Sequence, residues 1–184
     1  MASQSENTSS ASASGSITLV LGGARSGKSA YAESLIEAHE GDLTYLATGQ
    51  AWDGEMRTRI DDHKERRGDR WQTVEAPRDL AAALDQYGQK KSPILLDCLT
   101  LWVTNLMMEE GTDFEVEFDA LIASLQKCTC PVVIVSNEVG MGIVPDNKMA
   151  REFRDHAGSL HQRVAAISNT AVLVVAGLPL TLKG

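Results

Sequence analysis

One octapeptide constrains this chain more than any other feature. Gly22-Gly23-Ala24-Arg25-Ser26-Gly27-Lys28-Ser29 matches G-x-x-x-x-G-K-[ST] at every defined position. Such a loop needs a strand before it and a helix after it, and both are legible. Ile17-Thr18-Leu19-Val20-Leu21 is a short apolar run ended by glycine, the pattern of a strand buried on both faces. A helical pattern begins at Lys28. In that setting glycines let the backbone close around phosphate without a Cβ clash. Backbone N–H groups and the positive end of the helix dipole then face the anion. Lys28 is placed to reach the β- and γ-phosphates, the Ser29 hydroxyl to ligate Mg²⁺. Arg25 reads as a further phosphate ligand. A glycine-rich turn matching by chance would not bring strand and helix in this order.

The rest of the chain repeats the rhythm. Apolar runs recur at Leu43–Ala47, Ile94–Asp97, 132–136 and 171–176. Helical patterns lie between them, at roughly 28–40, 54–67, 77–88, 100–110, 114–127 and 147–168. Trp71–Glu75 adds a short strand, and 178–182, interrupted by Pro179, reads as an edge strand. Strands alternating with helices predict an α/β fold with a mainly parallel sheet flanked by helices. The 184 residues, 43% of them hydrophobic, suit one domain with a sizeable core. Residues 1–16 carry seven serines and almost no apolar bulk. They read as a disordered tail, leaving 17–184 as the domain.

Charge and cysteine usage narrow the function classes. A formal net charge of −8 disfavours non-specific binding to nucleic acid, although it says nothing about one phosphate pocket. Cys98, Cys128 and Cys130 make an odd set without zinc-like spacing, read as ordinary thiols of a reducing cytoplasm. No apolar run approaches the length of a membrane span.

Two acids stand where the fold would use them. Asp97 closes the run Ile94-Leu95-Leu96-Asp97, as expected of a carboxylate that holds magnesium through water. Its competing role is an N-cap for the next helix. Glu138 follows Val132-Val133-Ile134-Val135-Ser136-Asn137 at another strand's C-terminal end, the edge where open α/β sheets bind ligands. Asn147-Lys148-Met149-Ala150 lacks the aspartate of the guanine-reading N-K-x-D motif, so a switch GTPase is a poor reading. Met56, Ile60 and His63 fall on one helical face with Lys64, Arg66 and Arg67 close by. Neutral imidazole beside cations can attack phosphorus. Periodicity alone favours the plainer role, a histidine packed on an amphipathic helix.

Several segments together resemble one family. They are residues 22–29; Tyr45-Leu46-Ala47-Thr48; Arg59-Ile60 followed by His63-Lys64; and Leu96-Asp97-Cys98-Leu99-Thr100 with Trp102-Val103-Thr104-Asn105-Leu106. The most distinctive is Ser136-Asn137-Glu138-Val139-Gly140-Met141-Gly142-Ile143-Val144-Pro145. Phe153-Arg154-Asp155, Gly158 and His161-Gln162-Arg163 complete the set. The chain is similar, from residue 17 to the end, to the bifunctional adenosylcobinamide kinase / adenosylcobinamide-phosphate guanylyltransferases of cobalamin biosynthesis.

The resemblance implies a RecA-like P-loop NTPase fold assembled as a homotrimer. It implies that ATP or GTP phosphorylates adenosylcobinamide. GTP then gives GMP to a histidine with loss of pyrophosphate, and adenosylcobinamide phosphate takes the GMP to form adenosylcobinamide-GDP. His63 stands in the nucleophile's place, which reverses the reading from periodicity. By the same resemblance Ala47, Thr48, Gly49, Lys64, Glu65, Arg66, Arg67, Glu75 and Asp97 contact nucleotide. His39, His156 and His161 are left as surface or structural residues. Two alternatives stay open: an enzyme with only one of the two activities, and a nucleotide-dependent binding protein without turnover. A covalent GMP adduct separates the guanylyltransferase from a kinase or a binder.

Overall fold

The computed structural model describes residues 15–50 and 68–184. The expected helix over 54–67, with His63, Lys64, Glu65, Arg66 and Arg67, lies outside the described residues, as do residues 1–14. Gly15 and Ser16 join the body: Gly15 N–H donates to Cys128 O, and Ser16 O accepts from Val132 N–H, both at 2.8 Å.

Among the described residues seven strands form one sheet. They are β1 (Ile17–Gly22), β2 (Leu43–Ala47), β3 (Trp71–Glu75), β4 (Ile94–Asp97), β5 (Val132–Asn137), β6 (Thr170–Val175) and β7 (Leu178–Lys183), in the order β3-β2-β4-β5-β1-β6-β7. All neighbours are parallel except β6 and β7. The helices are α1 (Lys28–Glu37), α2 (Leu80–Tyr87), α3 (Leu99–Met107), α4 (Phe114–Lys127) and α5 (Lys148–Ile167).

The inner strands β1, β2, β4 and β5 are largely apolar on both sides because both sides are covered. Leu19, Leu46, Ile94, Leu96 and Ile134 pack with Trp102, Phe118, Leu121, Leu160 and Val164 from the helices α3, α4 and α5. Val20, Tyr45, Leu95, Val133 and Val135 face Ala32 and Ile36 of α1. Register places the C-terminal ends of the central strands side by side: Gly22 beside Asn137, Asp97 beside Val135, Ala47 beside Asp97 and Glu75.

Some boundaries move from the sequence reading for local reasons. The sixth strand stops at Val175, because Ala176 (φ 53°) and Gly177 (φ 79°) form a two-residue turn into antiparallel β7. Positive φ at both centres matches the twist of a hairpin. Helix α4 keeps its expected span of 114–127, opened by Asp113, whose carboxylate accepts from Glu115 and Val116 N–H. Asn147 caps α5 by accepting from Ala150 N–H at 3.1 Å, which gives that Asn-Lys pair a structural role. Among the described residues no helix is long and apolar enough to cross a membrane.

Candidate nucleotide site

The loop after β1 is shaped by what it must leave out. Arg25 (φ 55°) and Gly27 (φ 92°) adopt left-handed backbone. Ser26 N–H returns to Gly23 O at 3.3 Å, and Tyr31 N–H donates to Gly27 O at 3.0 Å. A Cβ on Gly22 would lie 2.4 Å from Ser26 Oγ and 2.7 Å from Val174 O. One on Gly27 would lie 3.1 Å from Gly177 Cα. The glycines therefore let the loop pass between its neighbours and open α1 with unpaired N–H groups at the sheet edge. Gly23, Ala24 and Arg25 are exposed on that loop, available to an anion.

Lys28 Nζ donates to Gly23 O at 3.2 Å, which holds the ammonium over the loop's own backbone. Across the edge, Tyr45 O–H donates to Asp97 Oδ2 at 3.1 Å. Burial pushes the Cys98 thiol up to about 11; Asp97 adds to this, while Thr100, the Leu101 backbone and the Lys28 ammonium pull the other way. Lys28 and Asp97 thus act on the same thiol from opposite signs, which places both charges in one neighbourhood.

Thr48 is fully buried at the tip of β2. Its Oγ1 donates to Cys98 O at 2.7 Å and accepts from Cys98 N–H at 2.8 Å. Asn105 Nδ2 donates to Thr48 O and to Pro77 O, at 2.8 and 2.7 Å. The turn 47–49 is therefore pinned to β4 and to the chain leaving β3. Glu75 ends β3, and Ala76 N–H donates to Ala47 O at 2.8 Å. Residues 22–29, Ala47, Thr48, Gly49, Glu75 and Asp97 all gather along one edge of the sheet. Thr48 enters this edge through its backbone, since its hydroxyl is spent on Cys98.

Glu138 is tied into its own loop. Its carboxylate accepts from Gly140 N–H at 2.8 Å and Met141 N–H at 3.2 Å, while its own N–H donates to Gly22 O at 3.0 Å. Sequence reasoning gave no role to three other residues at this edge. Asn137 Nδ2 donates to Thr100 Oγ1 at 2.9 Å, and Thr100 Oγ1 lies 3.2 Å from Cys98 Sγ. His161, left as surface or structural, sits 2.7 Å from the buried Ser136 Oγ through Nε2. Burial lowers its pKa, with Glu138 opposing.

The donors available to a metal are hard oxygens: the Ser29 hydroxyl and the Asp97 carboxylate. That set fits Mg²⁺, which keeps several waters and is held by one or two protein oxygens plus phosphate. Among the described residues no group of three or more His, Cys, Asp or Glu could hold an ion by itself.

Comparison with known proteins agrees with this chemistry. Solved structures similar in fold include a type III secretion system ATPase from pathogenic bacteria, with TM-score 0.54 and 10% identity, covering 90% of this chain and 56% of that one. A Pyrococcus horikoshii OT3 protein aligns with TM-score 0.52 and 8% identity, covering 92% of this chain and 86% of that one. At such identities the likeness concerns the fold alone. Curated relatives are nearer. The chain is 44% identical over 167 residues to "Bifunctional adenosylcobalamin biosynthesis protein CobP" of Pseudomonas aeruginosa, covering 90% of this chain and 96% of the relative. It is 41% and 43% identical to the bifunctional adenosylcobalamin biosynthesis proteins CobU of Escherichia coli and Salmonella typhimurium, covering 90% of this chain and 98% of each. Residues 18–182 match the family described as cobinamide kinase / cobinamide phosphate guanyltransferase. A phosphate loop and an acid on one parallel edge are what such chemistry requires, and with these matches the chain belongs to the cobinamide kinase / cobinamide phosphate guanyltransferase family of enzymes.

Proposed function

We propose that this chain performs both reactions of its family. In the first, ATP or GTP phosphorylates adenosylcobinamide. In the second, His63 takes GMP from GTP with release of pyrophosphate. Adenosylcobinamide phosphate then displaces the histidine and leaves as adenosylcobinamide-GDP. One observation carries the reading: residues 22–29 and Asp97 share a sheet edge with Thr48 and Glu75, in a chain of a kinase and guanyltransferase family.

The chemistry is coherent at that edge. Backbone N–H groups at the start of α1 and the Lys28 ammonium bind and orient the phosphates, which is most of what phosphoryl transfer asks of a protein. Mg²⁺, held by Ser29 and through water by Asp97, would offset charge on the phosphates. Imidazole is a good nucleophile and, once protonated, a good leaving group, so His63 splits one displacement into two easier ones. Lys64, Arg66 and Arg67 offset charge on the transferring group, with Glu65 beside them in the chain. Arg25 joins the phosphate ligands. The working form in this proposal is a cytoplasmic homotrimer, whose subunits together give a large corrinoid the walls that one chain of this size lacks.

The test is intact mass after incubation with GTP and Mg²⁺, without corrinoid, alongside His63→Ala. The expected result is a GMP-sized gain, stable to base, lost in acid and absent from His63→Ala. A gain that persists in His63→Ala moves the nucleophile elsewhere. No gain in a folded, GTP-binding sample removes the transferase half and leaves a kinase or a binding protein.

A further inference from the structure

β5 is inserted between the strand that carries the phosphate loop and the strand that carries Asp97. Whatever polar group ends β5 therefore stands between the loop and the acid. That residue is Asn137, which pairs in register with Gly22 on one side, while Asp97 lies one strand away on the other. The carboxamide is half-buried and aimed by one contact, Nδ2 donating to Thr100 Oγ1 at 2.9 Å. Thr100 is buried in the first turn of α3 and is itself held against Cys98 Sγ at 3.2 Å. The chain Asn137–Thr100–Cys98 thus joins the tip of β5 to the residue after Asp97. Among the described residues nothing donates to Asn137 Oδ1. A carboxamide whose donor end is fixed by a buried hydroxyl, and whose acceptor end is unspent, is built to receive a hydrogen bond.

We propose that Asn137 is a positioning residue for phosphoryl transfer, with its Oδ1 accepting a hydrogen bond from the attacking hydroxyl of the alcohol substrate and Thr100 fixing its aim. The proposal rests on the kinase half of the function above. In the step, the alcohol oxygen forms a bond to the γ-phosphorus and the bond from that phosphorus to the bridging oxygen breaks. The bridging electron pair leaves on the nucleoside diphosphate, and the hydroxyl proton passes to a non-bridging oxygen of the phosphoryl product. Asn137 never takes the proton, since a carboxamide is not a base at neutral pH. It holds the nucleophile in line, and a nucleophile misplaced by about 1 Å can cost roughly 100-fold.

The experiment compares wild type with Asn137→Ala, Thr100→Val and Thr100→Ser. It measures kcat for phosphorylation of adenosylcobinamide, the Kd for ATP and Mg²⁺ by titration without corrinoid, and Tm. Asn137→Ala should lower kcat by roughly 100-fold with ATP affinity and Tm close to wild type. Thr100→Val should lose part of kcat, and Thr100→Ser, which restores the hydroxyl, should recover it. Unchanged kcat in Asn137→Ala overturns the assignment. So does a loss of kcat matched by loss of ATP affinity, or a Thr100→Ser as impaired as Thr100→Val. If wild type binds ATP but never phosphorylates the alcohol, the kinase reading itself fails and this proposal falls with it.

Discussion

His161 shows how much a single side chain can owe to its surroundings. Its ring nitrogen meets Ser136 Oγ at 2.7 Å, and burial lowers its pKa below the ordinary 6.5 despite Glu138. The folded state therefore resists protonation that the unfolded chain accepts. Stability from this residue is present above the ordinary value and is lost as pH falls below it towards the folded pKa. Tm should fall as the pH drops below the ordinary histidine value, and His161→Asn should flatten that slope, read by scanning calorimetry across pH. A slope unchanged in His161→Asn would place the acid sensitivity in other groups. The sequence reading left His161 as surface or structural. Its partner is 25 residues away on a strand, a separation that spacing alone does not connect. Asn147 is a second case: the sequence reading set it inside the helical pattern 147–168, and the structure makes it the N-cap, accepting from Ala150 N–H at 3.1 Å.

Elements were legible where local chemistry decides them. The strands with continuous apolar runs stand where expected, since a sheet covered on both faces leaves no polar positions to blur the pattern. Trp71–Glu75 is also a strand, its residues paired with Leu43–Ala47. Helix ends were less legible, because caps override periodicity. Helix α4 is the exception, found at the expected 114–127 because its local signals agree: Asp113 supplies the N-cap, Glu115 and Glu117 stand in the first turn and Lys127 in the last, in agreement with the helix dipole. Asp113→Ala should cost about 1 kcal/mol in urea unfolding with an unchanged m-value. A loss well under half that would mean water replaces the carboxylate on Glu115 and Val116 N–H. Trp102, buried against Phe118 with its Nε1–H donating to Arg78 O at 2.8 Å, locks α3 to the start of α2 in the same local manner.

Strand order belongs to the whole molecule and was not legible. The octapeptide and Asp97 each announced a phosphate site, but nothing local says that β5 inserts between their strands. Asn137 could be read as a site residue only after that insertion was known. The far edge also belongs to this scale. Leu178, Leu180 and Leu182 are 72%, 58% and 56% exposed and alternate along β7, so one face of the last strand is an apolar stripe. Exposed stripes of this kind suit a partner surface, consistent with the proposed trimer. Leu180→Lys should lower the mass measured by light scattering; an unchanged mass would place the subunit contacts elsewhere. That outer hairpin also has an inward reach. Gly177 N–H donates to Ser26 O at 2.8 Å, and the space Gly27 leaves open is filled by Gly177 Cα. The turn into the final strand is the back wall of the phosphate loop. Trimming the chain after β6 would take that wall away, so the turn that opens β7 braces the loop that follows β1.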